Sequence, residues 1–237
     1  MDPQLRPLYA MHPPQVRTRT SRAPAVPPDQ PAWHSDPVPS PTAPSRAGGR
    51  AQATRATLLA AAREVFAESG FAEANIADVV ARASASVGSL YHHFGGKADL
   101  YLALFEDYQA RQEERAAAAV REERNRGVGD PMELFLVGAR AYLRGCWDER
   151  ALARMFLAGG GPPGFELIAR RRYREWTRVN AALLHADDRP LGETLVLVLT
   201  SVVAEAGSEV AVQDDADDAY RLADDVLELI GRIGTPR

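Results

Sequence analysis

The sequence predicts an all-α chain in two folded parts: an N-terminal three-helix helix-turn-helix domain over residues 51–98 and a C-terminal helical bundle over residues 99–237, behind a tail over residues 1–50. Three observations lead there. Residues 75–97 encode two short amphipathic helices joined by a tight turn, with apolar positions recurring at helical spacing. A long helical segment then runs from Lys97 to a stop at Gly127, apolar in its first turns and charged at its end. Beyond Asp130 the chain reads as helices separated by loops, one of them apolar on more than one face.

The tail holds most of the prolines and cannot build a core. Two readings of it stand open: a disordered leader or upstream start, and an arm that uses Arg17, Arg19, Arg22, Arg46 and Arg50 to grip phosphates or a minor groove. At 237 residues and a formal net charge of −4, the chain is long enough for two domains and is not globally basic. Any grip on nucleic acid must therefore come from a local positive field, expected around Arg50, Arg55 and Lys97. A single cysteine, Cys146, excludes an internal disulfide and suits a reducing cytoplasm. No apolar run is read as approaching membrane-spanning length and no secretory pattern opens the chain, so a cytoplasmic protein without a membrane partner is expected.

The first helix spans Thr54 to Ser69, with Leu58, Ala62, Val65 and Phe66 on its buried stripe. Gly70 supplies the left-handed residue that stops it, and Phe71 can fold back onto Phe66. Asn75 caps the second helix, with Asp78 placed to close a variant capping box. Ile76, Val79, Val80 and Ala83 turn inward there. Ser84 stands where the turn needs a left-handed backbone, a place glycine fills at lower cost. Ser86 caps the third helix, which points Leu90 and Phe94 inward and Val87, Gly88, Ser89, His92 and His93 outward. The adjacent histidines point about 100° apart and have no further ligand at metal spacing, so no metal site is read there.

The stretch from Thr54 through Lys97, ending in SLYHHFGGK with its Leu-Tyr-x-His-Phe-x-x-Lys pattern, resembles the DNA-binding domain of the TetR family of transcriptional regulators over roughly fifty residues. The resemblance implies an all-helical homodimer that binds a palindromic operator in double-stranded DNA and is released by a small-molecule effector held in its C-terminal half. Carried onto this chain, it implies DNA contacts at Asn75, Ser86, Val87, Gly88, Ser89, Tyr91, His92, His93 and Lys97. Tyr91 matches the tyrosine that lies against DNA, and His93 and Lys97 match phosphate-holding positions. Lys97 is also the only lysine in the chain. The chain departs from the family pattern at Ser84, usually glycine, and at Ala74-Asn75, usually a threonine pair.

In the C-terminal half, Asp130 caps a helix that opens on Pro131. The loop around Gly159–Gly164 lacks the Gly-Lys-Ser/Thr ending of a phosphate cradle and reads as a helix connection. An apolar effector pocket would draw on Phe135, Tyr142, Cys146, Trp147, Met155, Phe156, Phe165, Tyr173 and Trp176. The basic run Arg170–Arg178 reads either as a solvated face paired with acidic neighbours or as an anchor for an anionic effector. A dimer interface is expected from the last two helices through Leu195, Val198, Leu199, Val202, Tyr220, Val226, Leu227 and Ile230. No paired carboxylates, metal signature, nucleotide loop or cofactor motif is read, so the chain is expected to be neither an enzyme nor a cofactor carrier. The reading is a ligand-responsive, sequence-specific DNA-binding regulator, a repressor. The alternatives are an activator of the same kind, or a helical interaction or carrier protein without DNA binding.

Overall fold

The computed structural model describes residues 46–157, 160–188 and 190–234, so the readings made for residues 1–45 lie outside the described residues. The described residues belong to one compact unit with no strand among them.

Helix α1, Arg46–Glu73, begins two turns earlier than expected. Arg46 and Arg50 therefore sit on a helix, and the Thr54 and Thr57 hydroxyls bond back to the carbonyls of Arg50 and Ala53. Its predicted stripe is buried: Leu58, Ala62, Val65 and Phe66 form part of the core. The helical path breaks at Gly70, whose φ of 71° only glycine adopts at little cost. Beyond it the Phe71 ring stacks on Phe66 at 6.2 Å.

Helix α2, Ile76–Arg82, starts at Asn75, whose side chain accepts the Ala77 N–H at 2.9 Å. Of the expected box, only that half is present. Val79, Val80 and Ala83 are buried and Ile76 packs against them. Ser84 carries the turn at φ 50°. Helix α3, Val87–His93, opens with the Ser86 hydroxyl accepting the Ser89 N–H at 3.1 Å, and it buries Leu90 and Phe94. Arg82 fastens α2 to α1 through paired bonds to the Glu68 carboxylate at 2.9 and 3.0 Å.

Helix α4, Lys97–Asn125, is the long connecting segment. The domain boundary expected at residue 98 falls in its first turn, and the core runs across that point without a gap. Tyr101 explains why. Fully buried, it packs edge-on against Phe66 at 5.6 Å, Phe71 at 5.2 Å, Phe156 at 5.2 Å and Phe165 at 5.2 Å, and it donates its hydroxyl to the Met155 carbonyl. One side chain thus joins rings from both halves, each favourable edge contact adding to the area it buries.

The C-terminal half comprises α5 (Pro131–Asp148), α6 (Arg150–Leu157), α7 (Phe165–Leu183), a short 3-10 turn (Ala186–Asp188), α8 (Gly192–Val212) and α9 (Ala216–Gly234). Asp130 caps α5 as expected, accepting from Glu133 N at 2.8 Å, and Asp215 does the same for Asp218 ahead of α9. Helix α5 lies at the centre, packed by α4, α8 and α9, while α8 also touches α6 and α7. The reading that no run approaches membrane-spanning length needs correction: α8, 21 residues long and holding an 18-residue stretch of mean hydropathy 1.8, meets that test by length and composition. Its apolarity serves a bundle, since Val196, Leu199, Thr200, Val203, Ala206, Val210 and Ala211 are buried among neighbouring helices.

The strained serine gives a direct check. Replacing Ser84 by glycine removes a left-handed non-glycine residue costing about 1 kcal/mol. Ser84→Gly is expected to raise the melting temperature by about 2–4 °C in a thermal melt followed by circular dichroism; an unchanged or lower midpoint contradicts it.

Candidate nucleic-acid interface and C-terminal cavity

Most of the residues assigned to DNA contact share one surface. With Leu90 and Phe94 pinned in the core, α3 presents Val87, 48% exposed, and Tyr91, 51% exposed, beside Gly88 and His92, with Ser89 and His93 half-buried at its edges. A Cβ added at Gly88 would meet nothing nearer than Ser86 Oγ at 3.9 Å, so the α3 backbone is open to a close approach. Asn75 and Ser86 are exposed but spend their side-chain acceptors on the N-termini of α2 and α3. Lys97 departs from expectation. Its ammonium donates to the carbonyls of Ala72 and Ala74, both at 2.8 Å, and lies 4.7 Å from the Phe71 ring centroid. The lysine fastens the start of α4 to the end of α1, because those two carbonyls follow the Gly70 break and point at it. Arg55 is likewise drawn onto the Phe94 ring at 4.9 Å.

A cavity of about 980 Å³ lies between α4, α5 and α7. Of the residues expected to line it, Phe135, Tyr142, Phe156, Tyr173 and Trp176 do so. The remaining four are corrected. Cys146 is fully buried behind the cavity wall, its sulfur 3.7 Å from the Tyr108 hydroxyl, and burial pushes its thiol up to about 11, so it stays protonated at neutral pH. Trp147 packs in the core under the Arg150 guanidinium at 4.5 Å. Met155 offers its carbonyl to Tyr101, and Phe165 fills the aromatic seam at 4.9 Å from Phe105. Reasoning from aromatics missed the α4 wall, which supplies Gln112, Glu113, Ala116, Ala117 and Val120. Burial followed by the charge of Glu175 raises the pKa of Glu113. The signal for this wall was present as the small-residue run Ala116–Ala119, of which Ala116 and Ala117 line the cavity and Ala116 lies by Gly138, where an added Cβ would press Val120 at 3.2 Å. In the basic run, Arg172 pairs with Glu106 and Glu175, while Arg170 and Arg172 line the cavity.

A sequence profile described as "Bacterial regulatory proteins, tetR family" matches residues 58–104. The chain is 42% identical over 72 residues to the transcriptional regulator UidR of Escherichia coli K12, a match covering 30% of this chain and 35% of that protein. It is 37% identical over 68 residues to the transcriptional repressor AcnR of Corynebacterium glutamicum, covering 29% of this chain and 36% of that protein. These alignments thus span about a third of the curated relatives' length. The crystal structure of a TetR-family transcriptional regulator from Pectobacterium atrosepticum aligns over 81% of this chain and 100% of its own, at 30% identity and a TM-score of 0.59. The chain belongs to the TetR family. Relatives of this kind are transcriptional regulators rather than enzymes.

Of the residues expected at a TetR-family dimer interface, Val198 at 45% and Val202 at 40% exposure stand on the outer face of α8, next to Leu197 at 52%. Leu195, Tyr220 and Val226 are half-buried. Leu199, Leu227 and Ile230 are corrected: each is at most 2% exposed and fills the chain's own α5–α8–α9 core. A helix apolar on several faces gives no sequence signal of which face the same chain covers.

One site was not foreseen at all. The Glu149 carboxylate, its side chain 5% exposed, receives Arg111 at 2.6 Å and Arg115 at 2.6 Å from α4, and Arg63 from α1 at 3.4 Å. Burial raises the Glu149 pKa, but the Arg111 bonds and the charges of Arg111 and Arg115 outweigh it, holding the group below its ordinary 4.5. A depressed native pKa gives stability that is complete above 4.5 and is lost as pH falls through the lowered value. Glu149→Gln is therefore expected to cost about 2 kcal/mol at pH 7, below the usual range for breaking a buried pair because the arginines keep solvent contact. The gap in melting temperature between the two chains should hold from pH 8 to 5 and narrow below 4.5; a gap independent of pH contradicts the assignment.

Proposed function

We propose that this chain is a ligand-responsive, sequence-specific DNA-binding transcriptional regulator, a repressor that binds a palindromic operator as a homodimer in the cytoplasm. The observation that carries the reading is α3: a short helix anchored by two buried side chains, with Tyr91 and Val87 about half exposed on its outer face. Such a helix enters the major groove with its outer residues against base edges and its flanks against phosphates. In this arrangement Val87, Gly88, Ser89 and His92 face bases, Val87 offering apolar contact to a thymine methyl. Tyr91, His93, Asn75 and Ser86 lie toward the backbone. Lys97 spends two of its three N–H donors on the carbonyls of Ala72 and Ala74, which leaves one for a phosphate. Two copies, joined through the outer faces of α8 and α9, would set their α3 helices about 34–36 Å apart.

Repression is supported by the relative that is itself named a repressor. Release by an effector is supported by the cavity against α4, the helix whose first turns also form the core of the helix-turn-helix domain. A ligand moves such a protein only by its differential affinity for the operator-competent and splayed forms.

Fluorescence anisotropy with duplex DNA from upstream of the gene's own start tests the proposal. Binding is expected to fall steeply with salt, and Tyr91→Ala to weaken it at least tenfold while Tyr142→Phe leaves it unchanged. Salt-independent binding, or equal effects of both substitutions, contradicts it. Dimerisation has its own check: Val198→Asp is expected to yield a monomer by sedimentation velocity, whereas a persistent dimer places the interface elsewhere.

A further inference from the structure

Residues 50–97 carry five arginine and lysine side chains, and three of them are committed within the protein. Arg63 pairs with Glu149, Arg82 pairs with Glu64 and Glu68, and the Lys97 ammonium bonds to two carbonyls. Arg50 and Arg55 remain. Both are exposed, and among the described residues neither side chain has an ion pair or a hydrogen bond. They lie in the first turns of α1, where residues 46–57 include no acid and Leu58 is the first residue of the core.

Arg55 differs from Arg50 in where it stands. Its guanidinium lies over the Phe94 ring at 4.9 Å, and Phe94 is the residue that ends α3. Tyr91 leans to the same end, its Cε1 within 3.9 Å of where a Cβ at Gly96 would lie. Arg50, five residues earlier, lies about 140° around the helix from it. Stacking occupies the face of the Arg55 guanidinium and leaves its N–H groups, which lie in the plane, unspent. The ring also restrains the side chain, so less freedom is lost when the fork is filled.

Resting on the reading of α3 as a DNA reader, we propose that Arg55 is a phosphate-binding residue of that interface, held by Phe94 to bond the backbone beside the groove that α3 enters. It lies outside the positions that the family resemblance assigns to DNA. A phosphate presents two oxygens at the spacing of the guanidinium fork, which gives a bidentate, charge-assisted bond. Such a bond sets the register of the helix on the duplex and carries no sequence information. It supplies, at the end of α3, the positive charge that Lys97 spends mostly on carbonyls.

The test is fluorescence anisotropy of the full-length protein on the upstream duplex and on a scrambled duplex of the same length, repeated across salt concentrations. Arg55→Gln is expected to weaken binding to both duplexes by about tenfold at low salt, and to make the log–log salt slope shallower by about one. Arg55→Lys, which keeps the charge, is expected to keep the slope. Arg174→Gln, which removes an exposed arginine of α7 with no ion pair among the described residues, is expected to change neither quantity. A variant that merely folds less well loses active protein and leaves the slope as it was. A steep slope in the unmodified chain that Arg55→Gln leaves unchanged, a loss confined to the upstream duplex, or an equal effect of Arg174→Gln overturns the assignment while the reading of α3 stands. No binding of either duplex by the unmodified chain overturns both.

Discussion

A single buried carboxylate, Glu149, gathers cations from both α1 and α4. It sits at the junction of α5 and α6 and gathers Arg63 from the helix-turn-helix domain together with Arg111 and Arg115 from the connecting helix. A buried ion pair is weak support for stability, because desolvation offsets much of the attraction. Its effect is on geometry: a carboxylate with three cations around it has few arrangements that leave none of them poorly placed. Tyr101 acts beside it through packing, with rings from both halves against one side chain. Together they make the orientation of α3 a property of α4.

The cavity depends on what α4 and α5 leave out. Ala116 and Ala117 on one wall and Gly138 on the other leave space that larger side chains would fill. Because Gln112 and Arg115 lie one turn apart on α4, the cavity floor and the Glu149 cluster share a helix face.

What was legible in the sequence was local. The caps at Asn75, Ser86 and Asp130, the stop at Gly70, the left-handed Ser84 and the inward Leu90 and Phe94 each follow from residues within one or two turns, and the structure has them all. What was not legible depends on neighbours far along the chain. Lys97 has the spacing of a phosphate ligand, yet two carbonyls more than twenty residues earlier claim most of its donors. Leu199, Leu227 and Ile230 have the pattern of interface residues, and the chain's own helices cover them first. The choice of aromatics found five cavity residues but not Gln112, which carries no signal until α5 buries it.

The distance between paired α3 helices in solution tests the central claim most directly. The one native thiol, Cys146, is buried, so a spin label attached through His92→Cys reports on α3 alone. Double electron–electron resonance on the labelled protein should give one narrow distribution centred near 34–36 Å plus the label's reach, broadening when Arg63 is replaced by methionine. No intermolecular distance at all, or a broad distribution that the Arg63 substitution leaves unchanged, would contradict a reader held in place by Glu149.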